Sequence, residues 1–151
     1  MIITFLGHRS LYNKTEVLEK LKRALIDSIK QNEKTTFYCG GCGTFDNLCV
    51  SICHFIKKEY TSAEIVYVTP YLNESHQKKM KDMLNTGTYD SIIYPPLENT
   101  PPKYAIIKRN EWMVHQADLI IAYVEYSNGG AYRTLEYAKR KGKKISNLAE
   151  S

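Results

Sequence analysis

Short apolar runs alternate with stretches of helical periodicity along the whole chain, and this alternation constrains the fold more than any other feature. Ile2 to Leu6 is an apolar run that stops at Gly7, the pattern of a buried strand. Asn13 or Thr15 can cap a helix carrying Val17, Leu18, Leu21, Leu25 and Ile29 on one face. Thr35 to Cys39 reads as a second strand ending at Gly40-Gly41, and the helix after it places Phe45, Leu48, Cys49, Ile52, Phe55 and Ile56 on one stripe. Glu64 to Thr69 is a third strand, closed by Pro70. A polar helix over Asn73 to Asn85, a short strand at Ser91 to Tyr94 and a helix from Lys103 to Gln116 follow. Asp118 to Val124 then reads as a strand, Asn128-Gly129-Gly130 leads into a helix ending near Gly142, and Lys144 to Asn147 is a last short strand.

Strands separated by helices pair in parallel through right-handed crossovers. The expected fold is therefore α/β and Rossmann-like: a doubly wound, mostly parallel sheet with helices on both faces. It forms one domain over residues 1–151, with no internal linker, low-complexity stretch or strict repeat. A chain of this size buries roughly 70% of its unfolded surface, so it needs no disulfide or metal to hold it together. The start, Met-Ile-Ile-Thr-Phe-Leu-Gly, lacks the basic and long apolar regions of a signal peptide. No apolar run approaches a membrane span. A cytoplasmic protein without a membrane partner is expected.

The net charge of +5 would attract anionic small molecules. Its scatter along the chain argues against a nucleic-acid groove. The densest basic group, Lys139-Arg140-Lys141 with Lys143-Lys144, reads as the end of a helix, where cations favour the dipole. Four cysteines, Cys39, Cys42, Cys49 and Cys53, fall within fifteen residues. Zinc and redox chemistry are open readings of that spacing, but a strand residue, a loop residue and a buried helical pair read best as structural thiols. No metal site and no cofactor are expected.

In an open parallel sheet, ligands bind outside the carboxyl ends of the strands. Gly7-His8-Arg9 follows the first strand there, Gly40-Gly41-Cys42-Gly43-Thr44 the second, Thr69-Pro70-Tyr71 the third and Ser127-Asn128-Gly129-Gly130 the fifth. Glycine lets backbone approach a ligand, and the helix behind it offers unpaired N–H groups and a positive dipole end to a phosphate. Tight turning alone would also explain each glycine pair. Neither loop is a Walker A sequence or a G-x-G-x-x-G fingerprint, so a hydride-transferring dehydrogenase is not expected. Arg9 and Arg109 can neutralise phosphate, and His8 can donate to a phosphate or a ribose hydroxyl. Asp46, Glu111 and Glu136 can accept ribose hydroxyls or serve glycosidic chemistry. Each has a plainer reading as a surface or structural side chain. Tyr71, Tyr94 and Trp112 are possible base-stacking surfaces, a pointer diluted by twelve tyrosines.

Several segments in this order resemble the SLOG superfamily, the Rossmann-like group that includes the Smf/DprA and LOG proteins, and most of all its small stand-alone YpsA-like branch. They are T-F-L-G-H-R, F-Y-C-G-G-C-G-T-F-D, I-V-Y-V-T-P-Y-L, Y-D-S-I-I-Y-P-P-L-E-N-T-P, R-N-E-W-M-V-H-Q-A-D-L-I-I-A-Y-V and N-G-G-A-Y-R-T-L-E-Y-A-K-R-K. LOG-type phosphoribohydrolases carry R-x-x-x-M and then P-G-G-x-G-T-x-x-E. Arg109 and Met113 match the first motif, and Gly129, Gly130 and Glu136 match the second in spacing. Asn128 stands in place of the Pro, Tyr132 in place of the third Gly, and Thr134 comes one position late.

The strand-end loops, together with this resemblance, give a ligand-binding set of Gly7, His8, Arg9, Gly40, Gly41, Gly43, Thr44, Asp46, Tyr71, Arg109, Glu111, Asn128, Gly129, Gly130 and Thr134. A nucleotide or ribosyl-phosphate compound is the implied ligand, with ADP-ribose or cyclic ADP-ribose signals of bacterial or phage immunity as the leading class. The degraded LOG motif favours binding over catalysis. If the chain is an enzyme, Arg109 and Glu136 are the catalytic positions of an N-glycosidic hydrolase or transferase acting on nucleoside monophosphates or NAD-related compounds. Assembly into a homo-oligomer is implied by the resemblance alone.

Overall fold

A computed structural model describes residues 1–29, 33–60 and 62–150. Among these residues six strands form one sheet: β1 (Ile2–Gly7), β2 (Thr36–Cys39), β3 (Glu64–Val68), β4 (Ser91–Ile93), β5 (Leu119–Tyr123) and β6 (Ile145–Asn147). Five α-helices among them make the connections: α1 (Lys14–Ser28), α2 (Thr44–Glu59), α3 (Glu74–Asn85), α4 (Ala105–Gln116) and α5 (Gly129–Arg140). The strand order is β4-β3-β2-β1-β5-β6, and every pairing is parallel. This is the expected doubly wound, Rossmann-like α/β architecture. The helix expected from Lys103 begins as a 3-10 turn over Pro102–Tyr104 and becomes α-helical at Ala105, because Pro101-Pro102 hold the entry in extended and tight-turn geometry.

Side chains alternate between the two faces of the sheet. Ile3, Phe5, Phe37, Ile65 and Ile121 pack with Val17, Leu21 and Leu25 of α1, with Phe45, Cys49, Cys53 and Ile56 of α2, and with Met80 of α3. Leu6, Ile120 and Ala122 meet Val114 of α4 and Leu135 and Ala138 of α5 on the other face. Val66 and Val68 cover Met113 of α4 there. Each fully buried Ile, Leu or Phe contributes about 1.5–3 kcal/mol. Three crossovers running one way put α1, α2 and α3 on one face, and the β5–β6 crossover, running the other way, puts α5 on the opposite face.

That reversal matters for function. The chain winds outward from β1 through β2, β3 and β4, then returns across the sheet to place β5 beside β1, with Gly7 level with Tyr123. The carboxyl ends of β1 and β5 therefore flank a topological switch point, the crevice where open α/β sheets take ligands. Among the described residues, no helix is long and apolar enough to cross a membrane.

Candidate functional site

A cavity of about 910 Å³ opens at this switch point, between the first half of α4 and α5. Its size falls in the range that holds a small ligand or cofactor. Of the sequence-predicted residues, Gly7, His8, Arg9, Asp46, Arg109, Glu111, Asn128, Gly129, Gly130, Thr134 and Glu136 line it. Gly40, Gly41, Gly43, Thr44 and Tyr71 do not. Sequence reasoning paired the two glycine loops as one phosphate cradle. The two loops lie on the same rim of the sheet, but they are not alike.

The loop before α2 is filled by the protein's own side chains. The Cys42 N–H donates to Asp46 Oδ2 at 2.8 Å, and the Thr44 N–H donates to the Arg9 carbonyl at 2.8 Å. Arg109, only 2% exposed, donates through Nη1 to the carbonyls of Gly40 and Val68 at 2.9 and 2.8 Å, and through Nε to Asn110 Oδ1. A methyl group on Gly40 would lie 3.3 Å from the Arg109 guanidinium and from Asp46, and one on Gly41 would lie 2.9 Å from the Tyr67 ring. Gly43 has φ +94° and passes so near Arg9 that an added Cβ would be 2.7 Å from its Cα. These glycines serve close packing of the rim. Gly7 does the same within the cavity wall: a side chain there would run into the Phe45 ring.

The loop before α5 is open. Gly129 and Gly130 are exposed, and among the described residues nothing lies within 4 Å of where their side chains would begin. Asn128 is the N-cap residue, and its side chain makes no capping hydrogen bond. Among the described residues, the first N–H groups of α5 thus have no side-chain acceptor at the positive end of the helix dipole, a position where negative charge is favoured. Thr134 is not part of it, because its hydroxyl donates back to the Gly130 carbonyl at 2.9 Å.

The electrostatics agree with an anionic guest. Arg9, Lys103, Arg109, Arg133 and Arg140 line the cavity against Asp46, Glu111 and Glu136. Glu111 is already paired with Lys108 at 3.2 Å, and Glu136 with Lys139 at 3.3 Å. Arg109 Nη2 is the one nitrogen of that guanidinium without a partner among the described residues. Burial pushes the Asp46 carboxyl up to about 6, against the pull of the Cys42 N–H and of the Arg109 and Arg9 charges. Near neutral pH it is therefore only partly neutral, and it remains able to accept.

His8 is 5% exposed, and its Nε2 accepts the Glu125 N–H at 2.9 Å. Burial lowers its pKa, with Glu125 partly offsetting the effect. The ring is thus neutral at pH 7, with its proton on Nδ1. One of its faces lies under Tyr126, with centroids 3.8 Å apart and planes 4° from parallel.

Tyr126, Lys103, Asn110 and Arg133 are lining residues that sequence reasoning missed. An aromatic directly before Ser-Asn-Gly-Gly was a usable signal for Tyr126. Tyr71 instead turns back on Thr69, whose hydroxyl accepts its N–H at 3.2 Å and donates to its carbonyl at 3.0 Å. Trp112 stacks on Tyr38, outside the cavity.

The four cysteines are free: Cys39, Cys49 and Cys53 are buried, and Cys42 is half-buried at the cavity. Burial pushes the Cys49 and Cys53 thiols up, so they stay protonated. Among the described residues, no group of three or more His, Cys, Asp or Glu could hold a metal ion.

No protein-family model matches the chain. It is similar to the uncharacterized SPbeta prophage-derived protein YoqJ of Bacillus subtilis (strain 168), with 29% identity over 140 aligned residues that cover 81% of this chain and 80% of that protein.

Proposed function

We propose that this protein binds a nucleotide-derived or ribosyl-phosphate ligand, as a sensor or a sequestering module, with its phosphate on the N-terminus of α5. The observation that carries this reading is the uncapped, sterically open Asn128-Gly129-Gly130 turn facing a cationic cavity at the switch point. Arg9 and Arg133, both exposed, supply positive charge from the cavity rim. Asp46 and Glu136 are within the same cavity to accept ribose hydroxyls. ADP-ribose and its cyclic relatives stay the leading class on the SLOG resemblance, and the prophage origin of the similar protein fits a role between phage and host.

A second reading is favoured by one observation: Glu136 and Arg109 line the same cavity as the open turn. In it, Glu136 stabilises an oxocarbenium-like transition state and the chain hydrolyses an N-glycosidic bond. Against it stands the commitment of Arg109 to two strand-end carbonyls and Asn110, which leaves it a structural cation with a single free nitrogen. Incubation with nucleoside monophosphates, NAD and ADP-ribose separates the two. Saturable binding by calorimetry with ligand recovered intact supports the binding module. Released base that disappears in Glu136→Gln supports the hydrolase.

A further inference from the structure

Tyr126 sits on the segment between β5 and α5, four residues before Gly130. One face of its ring lies against the His8 imidazole, nearly parallel to it at 3.8 Å. His8 is itself fixed from two directions. Its Nε2 takes the Glu125 N–H, and its edge meets the Tyr123 ring in a T-shaped contact with centroids 6.4 Å apart. A neutral imidazole so held is a rigid backing plate. Tyr126 is still 50% exposed and lines the cavity, and among the described residues His8 is the one ring that stacks on it, which leaves the opposite face for a guest.

We infer that the free face of Tyr126 is the base-stacking surface of the site, selecting ligands in which a planar heterocycle is joined to the ribosyl phosphate. This rests on the phosphate reading above and adds the substrate class to it. The physical ground is that offset stacking on an aromatic face is available to any base. A platform already clamped by His8 also loses little freedom when the base arrives. The phosphate end and the base end of the guest would then be held by two parts of one short segment, the Gly129-Gly130 turn and Tyr126. His8 acts here as a positioning residue, holding the Tyr126 ring at its angle.

The test uses calorimetry on the whole chain with two probes, AMP and ribose 5-phosphate, which share the phosphate and differ by the base. The wild type should bind AMP more tightly than ribose 5-phosphate. Tyr126→Ala should weaken AMP by roughly 5- to 150-fold and leave ribose 5-phosphate unchanged, while Tyr126→Phe keeps the AMP affinity. His8→Ala should weaken AMP less than Tyr126→Ala does. Equal binding of the two probes by the wild type, or an equal loss of both in Tyr126→Ala, overturns the stacking surface while the phosphate site stands. Failure of the wild type to bind either probe overturns the phosphate site and this inference together.

Discussion

Replacing Asp46 with Asn removes one charge from the rim while keeping a side-chain oxygen for the Cys42 N–H, which makes it a clean probe of how the α2 loop is held. In the wild type, burial raises the Asp46 carboxyl from its ordinary 3.8 to about 6. The gap corresponds to about 3 kcal/mol of unfavourable ionisation in the folded state. The folded protein therefore keeps this proton to higher pH than the unfolded chain does. Between about pH 4 and pH 6 the folded state binds more protons, so this group makes stability fall as pH rises, and the full cost persists above pH 6. Asp46→Asn has no such dependence. Urea denaturation at pH 4, 5, 6 and 7 should show the variant gaining on the wild type as pH rises, by up to about 3 kcal/mol in total. Only the change with pH carries the argument, because a constant offset reflects the altered hydrogen bond. A difference that stays flat, or a wild type that gains on Asp46→Asn with rising pH, would mean that Asp46 is ionised and held by Arg109.

Asn128→Asp places a carboxylate at the N-cap of α5, where it should stabilise the free protein by about 0.3–1 kcal/mol and weaken ribose 5-phosphate at least tenfold; thermal melts and calorimetry on the same sample read both. Gly7→Ala should destabilise by about 1–3 kcal/mol or more through overpacking against Phe45, checked by urea denaturation, whereas Gly130→Ala, with nothing within 4 Å, should leave stability within about 0.5 kcal/mol. Raising salt from low to physiological strength should weaken phosphate binding, since the rim cations Arg9, Lys103 and Arg133 are exposed and screened.

The layout of the fold was legible because hydrophobic periodicity reports burial. The runs Ile2–Leu6 and Asp118–Val124 and the stripe Val17, Leu21, Leu25 locate strands and a helix within a residue or two of where they lie. Position on the rim was equally legible, since parallel strands put every β-to-α loop at one edge. What the sequence could not tell was which glycine turn remains open. That depends on Arg109, sixty-nine residues from Gly40, reaching two strand-end carbonyls, and on Asp46 turning back to its own helix start. Both are long-range or conformational outcomes with no local signature. Asn13 shows the same limit. It is the N-cap residue of α1, as expected, yet its amide donates to Tyr123 Oη at 2.9 Å rather than capping the helix. Tyr126 was passed over for a different reason: its place directly before Ser127-Asn128-Gly129-Gly130 was a usable signal, but one diluted among twelve tyrosines until the stack on His8 singled it out.

Backbone amide chemical shifts, followed in ¹H–¹⁵N spectra as ribose 5-phosphate is added, test most directly where the anion sits. The largest, saturable changes are expected at Gly130, Ala131 and Tyr132, at the start of α5, with Gly41 to Thr44 little affected. Changes centred on Gly41 to Thr44, or none at all at the start of α5, would contradict that placement.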